Sequence, residues 1–213
     1  MALTLYYMSG SPYAWRVWLA LEHKGMAYDL KVLSYDAGDF EKPDFARLTP
    51  RRKVPVLVDD GFVLWESAAI LDYLEDKQPQ PPLFSADIRR RAVERRMVRE
   101  ADEYVATAME ELADAVMFTP PERRVPERIA SAVAALRQEL ALWERAIEGD
   151  YLAGALSAAD LALFPQLALV RRLGGRNPGL LPPDLLGPRL AAWLGRMEAL
   201  PIARKTWPPH WKG

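Results

Sequence analysis

The apolar positions of this chain change period partway along it. In the first third, short apolar runs are broken by turn residues. Ala2 to Tyr7 is rich in β-formers and predicts a strand. Tyr13 to Lys24 repeats at helical spacing and is closed by Gly25, and Ala27 to Leu33 alternates loosely as a second strand. Strand, helix and strand within roughly 30 residues make a βαβ unit whose two strands run parallel. Gly38 to Leu48 reads as irregular or weakly helical. Lys53 to Asp59 is a strand opened by Val54-Pro55, and the turn dipeptide Asp60-Gly61 sends Phe62 to Trp65 back antiparallel. Glu66 to Asp76 is helical, with Ala69, Leu71, Tyr73 and Leu74 as its apolar bulk.

Gln78 to Ala86, with Pro79, Pro81 and Pro82, reads as a stiff connector. Beyond it the strand pattern disappears. Asp87 to Met117 predicts a long helix with Ile88, Ala92, Met97, Ala101, Tyr104, Ala108, Leu112 and Val116 on one stripe. Glu127 to Glu148 repeats Ile129, Val133, Leu136, Leu140, Trp143 and Ile147 at steps of three and four. Both stripes read as core packing. Ser157 followed by Asp160 has the spacing of a capping box, and Leu156 with Leu161 that of a hydrophobic staple, so a helix starts there; Pro165 lies inside it. Gly174 to Pro188 reads as a loop, Leu190 to Leu200 as a last helix, and Trp207-Pro208-Pro209-His210-Trp211 as a stiff aromatic stretch. The fold class is α/β plus all-α: a mixed layer over residues 1–77, a connector over 78–86 and an all-helical domain over 87–213.

Composition narrows the chemistry. The 213 residues are half hydrophobic and 27% charged, with a formal net charge of −1. That balance carries no field for nucleic acid or a membrane surface. With no cysteine, disulfides, thiolate metal sites and a cysteine nucleophile are excluded. No stretch nears the about 18 apolar residues of a bilayer span, and the opening residues lack the pattern of a secretory leader. A cytoplasmic location is the expectation. Arg89-Arg90-Arg91 and Arg95-Arg96 are interrupted by Glu94 and Glu100, so they do not make a nucleic-acid stripe. His23 and His210 stand alone and make neither a metal site nor a triad.

The stretch with most chemistry is Ser9-Gly10-Ser11-Pro12-Tyr13, between the first strand and the first helix. Pro12 suits the first position of a helix, which puts the Ser11 hydroxyl at the helix N-terminus. Free N–H groups and the positive end of the macrodipole favour an anion there. Ser9 or Ser11 as a plain helix cap is the competing reading.

Taken in order, Ser11-Pro12 with Arg16-Val17, Lys53-Val54-Pro55-Val56-Leu57, Glu66-Ser67-Ala68-Ala69-Ile70 and Gly154 through Ser157 to Asp160 resemble the motifs of the cytosolic glutathione S-transferase family, in its serine-type, bacterial theta- and zeta-like form. The resemblance spans almost the whole chain. It implies a thioredoxin-like N-terminal domain, a helical-bundle C-terminal domain and a homodimer. It also implies glutathione as co-substrate, with Ser11 as the catalytic hydroxyl that activates the thiol for attack on a small hydrophobic electrophile. By the same resemblance Val54-Pro55 is a cis peptide whose Val54 main chain pairs with the cysteinyl backbone of glutathione. Ser67 and Glu66 then hold the γ-glutamyl end, Lys53 faces the glycyl carboxylate, and Asp102 matches an acidic residue that some relatives reach across the dimer with. The acceptor pocket draws on Ser9, Gly10 and Tyr13, and the reaction needs no metal.

Four alternatives stay open at this level. Ser9 competes with Ser11, because loop length decides which hydroxyl points inward. Tyr6 and Tyr7 compete as well, since other classes use a tyrosine near the end of the first strand, although the Ser-Pro and Arg-Val context favours Ser11. Trp15-Arg16-Val17 is similar to the zeta class, which includes maleylacetoacetate isomerases. That class carries a serine pair and then a cysteine here, where this chain has Ser11-Pro12-Tyr13. A member of the fold that binds ligands or partners without turnover is the non-enzymatic reading. Arg51-Arg52-Lys53 reads as a solvated basic face, and Trp207 and Trp211 are candidates to fold over the pocket.

Overall fold

The computed structural model describes residues 3–211, which form two compact units. The first comprises residues up to Phe84 together with those from Leu200 onward; the second runs from Ser85 to Ala199.

In the first unit, β1 (Leu3–Tyr7), α1 (Pro12–Lys24) and β2 (Tyr28–Val32) form the expected parallel βαβ unit. A short α2 (Pro43–Ala46) precedes β3 (Val56–Asp59) and β4 (Phe62–Trp65), and α3 (Ser67–Lys77) follows. The sheet order is β2-β1-β3-β4, with β3 antiparallel to both neighbours. This is the expected thioredoxin-like layer. Strand β3 starts at Val56, three residues later than the sequence pattern suggests, and the Val54–Pro55 peptide before it is cis. Leu3, Leu5 and Tyr7 point into the core, as period-two alternation requires, alongside Val17, Leu21, Ile70 and Leu74.

The connector is pinned to this unit by charge. Lys24 has its side chain fully buried, and its ammonium reaches Glu75 at 2.7 Å and the carbonyls of Gln78 at 2.5 Å and Pro81 at 3.0 Å. All three ammonium protons are satisfied, which is the condition for burying a lysine. Beside it, His23 Nε2 lies 3.1 Å from the Pro82 carbonyl.

One expectation about the domains differs from the structure. The sequence pattern places residues 200–211 with the helical domain, whereas in the structure they belong to the first unit. Helix α9 (Pro201–Thr206) packs on α1, and the Trp15 indole N–H donates to Thr206 Oγ1 at 2.8 Å. Trp15, which is wholly buried, meets Trp207 and Trp211 edge-on at ring distances of 5.3 and 5.5 Å. Aromatic burial of this size outweighs proximity along the chain.

The second unit is helical throughout: α4 (Ile88–Glu100), α5 (Ala106–Val116), α6 (Pro126–Ala146), α7 (Ala158–Arg176) and α8 (Pro188–Ala199). Residues Ala101–Val105 between α4 and α5 are π-helical, so 88–116 is one continuous rod with a wide turn. Its buried face is Met97, Val98, Ala101, Val105, Met109, Leu112 and Val116. Ile88, Ala92 and Tyr104, assigned to the stripe from spacing, are instead exposed. Ile88 is the first residue of the rod, and Tyr104 sits in the π-helical turn, where the neighbouring Val105 takes the inward position. Helix α7 is buried nearly all round, from Ala158 to Val170. No helix among the described residues is long and apolar enough to cross a membrane.

Candidate functional site

The register of the first sheet decides which segments meet. Tyr6 pairs with Val56, and Val56 with Trp65, across three strands. One step beyond that row, at the same end of the sheet, lie the loop after β1, the Val54–Pro55 segment before β3, and the β4–α3 junction at Glu66-Ser67. Three stretches up to 58 residues apart in sequence therefore share one rim, because β1 and β4 end there and β3 begins there.

Ser11 is the N-cap of α1, with extended backbone and Pro12 in the first turn. Its side chain is 7% exposed, and its oxygen accepts from the Ala14 N–H at 3.3 Å. That bond uses a lone pair; the hydroxyl proton has no acceptor among the described residues. No acidic residue stands in the first turn, so nothing on the helix neutralises its positive end. Tyr13 follows, half-buried, with the Arg16 guanidinium 5.2 Å from its ring centre. Tyr7 is buried, and burial pushes its phenol up; its hydroxyl faces Ser9 and the Gly10 backbone without reaching hydrogen-bond geometry with either.

At the β4–α3 junction, Glu66 is the N-cap of α3 and adopts φ 70°, ψ 108°, a region that side-chain-bearing residues avoid. It offers α3 no side-chain cap, so the first N–H groups of α3 remain open to an external acceptor. Ser67, 6% exposed, is the first helical residue. The Glu66 carboxylate is two-thirds exposed and lies 3.7 Å from Arg51. Arg52 pairs with Glu41, so two of the three residues read as a solvated basic face are engaged in surface ion pairs. Lys53 is exposed beside them, Val54 half-buried and Pro55 buried. Asp102 lies in the second unit, half-buried in the π-helical turn.

Ser9, Gly10, Ser11, Tyr13, Lys53, Val54, Pro55, Glu66 and Ser67 thus fall on one rim of the first unit. The residue missed by sequence reasoning is His210. Its Nδ1 lies 2.8 Å from the Ser9 hydroxyl, across 201 positions of sequence. A Cβ built on Gly10, which has φ +88°, would come within 3.1 Å of His210 and 3.2 Å of Trp211. No local pattern signals this contact, because it exists only once α9 has packed on α1.

The comparisons with known proteins agree with this architecture. Residues 10–77 match the family described as glutathione S-transferase, N-terminal domain, and residues 123–196 match its C-terminal domain. A maleylacetoacetate isomerase from Rattus norvegicus is 32% identical over 79% of this chain and 78% of its own length. A crystal structure of a glutathione S-transferase from the Antarctic clam Laternula elliptica superposes with a TM-score of 0.86 at 30% identity, covering 99% of this chain and 94% of the other. A glutathione transferase from Burkholderia graminis, solved with two glutathione molecules bound per subunit, gives a TM-score of 0.83 at 27% identity over 100% and 90%. With its two halves matched in order and its relatives aligned along most of their length, this chain belongs to the glutathione S-transferase family.

Proposed function

We propose that the protein is a glutathione transferase in which the Ser11 hydroxyl holds the sulfur of bound glutathione as a thiolate for attack on a small apolar electrophile. The observation that carries this reading is the state of the Ser11 hydroxyl: its oxygen serves as a cap while its proton is left to donate. A thiol has a pKa of about 8.5, so only a few per cent is ionised near neutrality. Each unit of depression requires about 1.4 kcal/mol of preference for the anion. One hydroxyl donating to a charged acceptor supplies roughly 1.5–3 kcal/mol, and the uncompensated start of α1 adds to it. A shift of about one to two units is within reach without a general base.

The rest of the rim suits the peptide. The Val54 main chain, at the open start of β3, would take the cysteinyl backbone as an added strand. The N–H groups at the start of α3, with Ser67, would take the γ-glutamyl carboxylate, and Glu66 its ammonium. Lys53 would face the glycyl carboxylate. Asp102 would add an acidic contact in a homodimer, and Ser9, Gly10 and Tyr13 would border the acceptor. A cytoplasmic location and a detoxifying role fit such chemistry. The likeness to the rat isomerase favours a second reading, glutathione-dependent cis–trans isomerisation, which shares the thiolate step.

The test is a pH titration of the ultraviolet thiolate absorbance of bound glutathione, in wild type, Ser11→Ala and Ser9→Ala. A depression of about a unit or more in wild type, lost in Ser11→Ala and kept in Ser9→Ala, supports the assignment. Loss in Ser9→Ala alone moves the catalytic role to Ser9. Binding without a shift, or no binding, replaces the enzyme by a carrier or scaffold of the same fold.

A further inference from the structure

The loop that carries Ser11 carries a second hydroxyl, and the two are not in the same state. Ser9 is within hydrogen-bond distance of His210, whereas the Ser11 proton is unspent. The segment that brings His210 to the loop is anchored independently of that contact. Trp211 is 9% exposed and packs edge-on against both Trp15 and Trp207. Its N–H donates to the Pro208 carbonyl at 2.9 Å, closing a short turn that includes His210. Upstream, Trp15 holds Thr206, and the Lys205 ammonium meets Glu22 of α1 at 2.7 Å. Gly10 lets the two segments approach: any side chain there would press on the imidazole and the indole.

We propose that His210 is a positioning residue for this loop, engaging the Ser9 hydroxyl at its Nδ1 so that Ser11 is left as the hydroxyl facing the bound sulfur. The direction of that bond is set by the imidazole tautomer: with the ring proton on Nε2, Nδ1 accepts and the Ser9 hydroxyl donates its proton to it. A serine whose proton is held in this way cannot also donate to a thiolate. The inference rests on the thiolate reading above and goes beyond it, because it explains how one of two serines two residues apart is selected, and by a residue about 200 positions away.

The experiment compares thiolate titration of bound glutathione in wild type, Ser11→Ala, Ser11→Ala/His210→Ala and Ser11→Ala/His210→Asn. Melting temperature and tryptophan fluorescence report on docking of the 207–211 segment in each. Ser11→Ala should lose the depression of the thiol pKa. Removing the imidazole in the same background frees the Ser9 proton, so the first double variant should regain about half a unit or more. The asparagine variant, whose amide oxygen can still accept from Ser9, should stay near the single variant. Adding Ser9→Ala to the first double variant should abolish the recovery. If the first double variant matches Ser11→Ala while wild type shows its normal shift, the proposal is overturned and the thiolate reading stands. If recovery persists without Ser9, or if both double variants recover equally, His210 acts through packing rather than through Ser9 and the proposal fails. An absent shift in wild type removes the thiolate reading and this one with it.

Discussion

Among the described residues, helices α1 and α7 each have a serine as N-cap, in different environments. Ser157, at the start of α7, is 4% exposed and belongs to a capping box with Asp160: its hydroxyl donates to the Asp160 carboxylate at 3.2 Å, and the same carboxylate accepts from the Ser157 N–H at 2.9 Å. Asp160 also accepts from the Leu152 N–H at 3.0 Å and the Trp193 indole at 2.8 Å. Burial pushes its carboxyl up, and these donors hold against that trend. Ser11, at the start of α1, is just as buried but makes one longer bond, with no acid in its first turn. A helix start whose polar groups are all matched serves stability. One with a positive end unneutralised and a donor unspent is suited to bind an anion, and tolerates that cost because one cap is worth only about 1 kcal/mol.

The comparison can be broken most severely at Asp160. Asp160→Ala leaves the Leu152 N–H, the Ser157 N–H and the Trp193 indole buried without an acceptor. The expected loss is about 3 kcal/mol or more, read as a fall in denaturant midpoint at unchanged slope. Thiolate formation at the other helix start should survive wherever the variant is folded. A wild-type midpoint would mean that α7 does not depend on its box.

The two serines themselves sharpen it. Ser157→Ala should cost about 1–2 kcal/mol with the thiol pKa of bound glutathione unchanged, whereas Ser11→Ala should cost about 1 kcal/mol or less and abolish the shift. Equal effects of the two variants on both readouts would erase the distinction.

A third helix start, at Glu66, shows the same trade in backbone form. Its φ of 70° is a conformation glycine adopts freely. Glu66→Gly should therefore stabilise the apo protein by about 1 kcal/mol in denaturant unfolding while raising the dissociation constant for glutathione. A destabilised variant with unchanged affinity would contradict both halves.

The smallest expected effect is at the other end of α1. Burial holds the His23 imidazole below its ordinary value, against the opposing Pro82 carbonyl. A depressed histidine favours the neutral folded form, so its contribution is present above the unfolded value near pH 6.5 and is lost as pH falls through the folded value. Wild-type stability should decline over that acid window, and His23→Gln should flatten the decline. Identical pH profiles would remove His23 from the account.

Much of this was legible in the chain. Strands β1 to β4 followed from alternation and the Asp60-Gly61 turn, α1 from Ser11-Pro12 and Gly25, and α7 from the Ser157–Asp160 spacing, because each signal is local and its physics acts within one turn. The rim residues Lys53 to Pro55 and Glu66-Ser67 were found as motifs, and the sheet register brings them beside Ser11. Tyr104 was misplaced on its helix because a helical stripe extrapolated through a π-helical turn assigns the inward position to the wrong neighbour.

What the chain determined by itself was the set of parts: the layer, the helical rod, the caps and the serine at the positive end of α1. Only the tertiary structure decided that residues 200–211 return to the first unit and place His210 against Ser9. That outcome depends on burying Trp207 and Trp211 on Trp15 and on the bare face of Gly10. Neither is visible to a reading that looks a few residues ahead, since apolar burial is non-directional and its partner can come from anywhere along the chain.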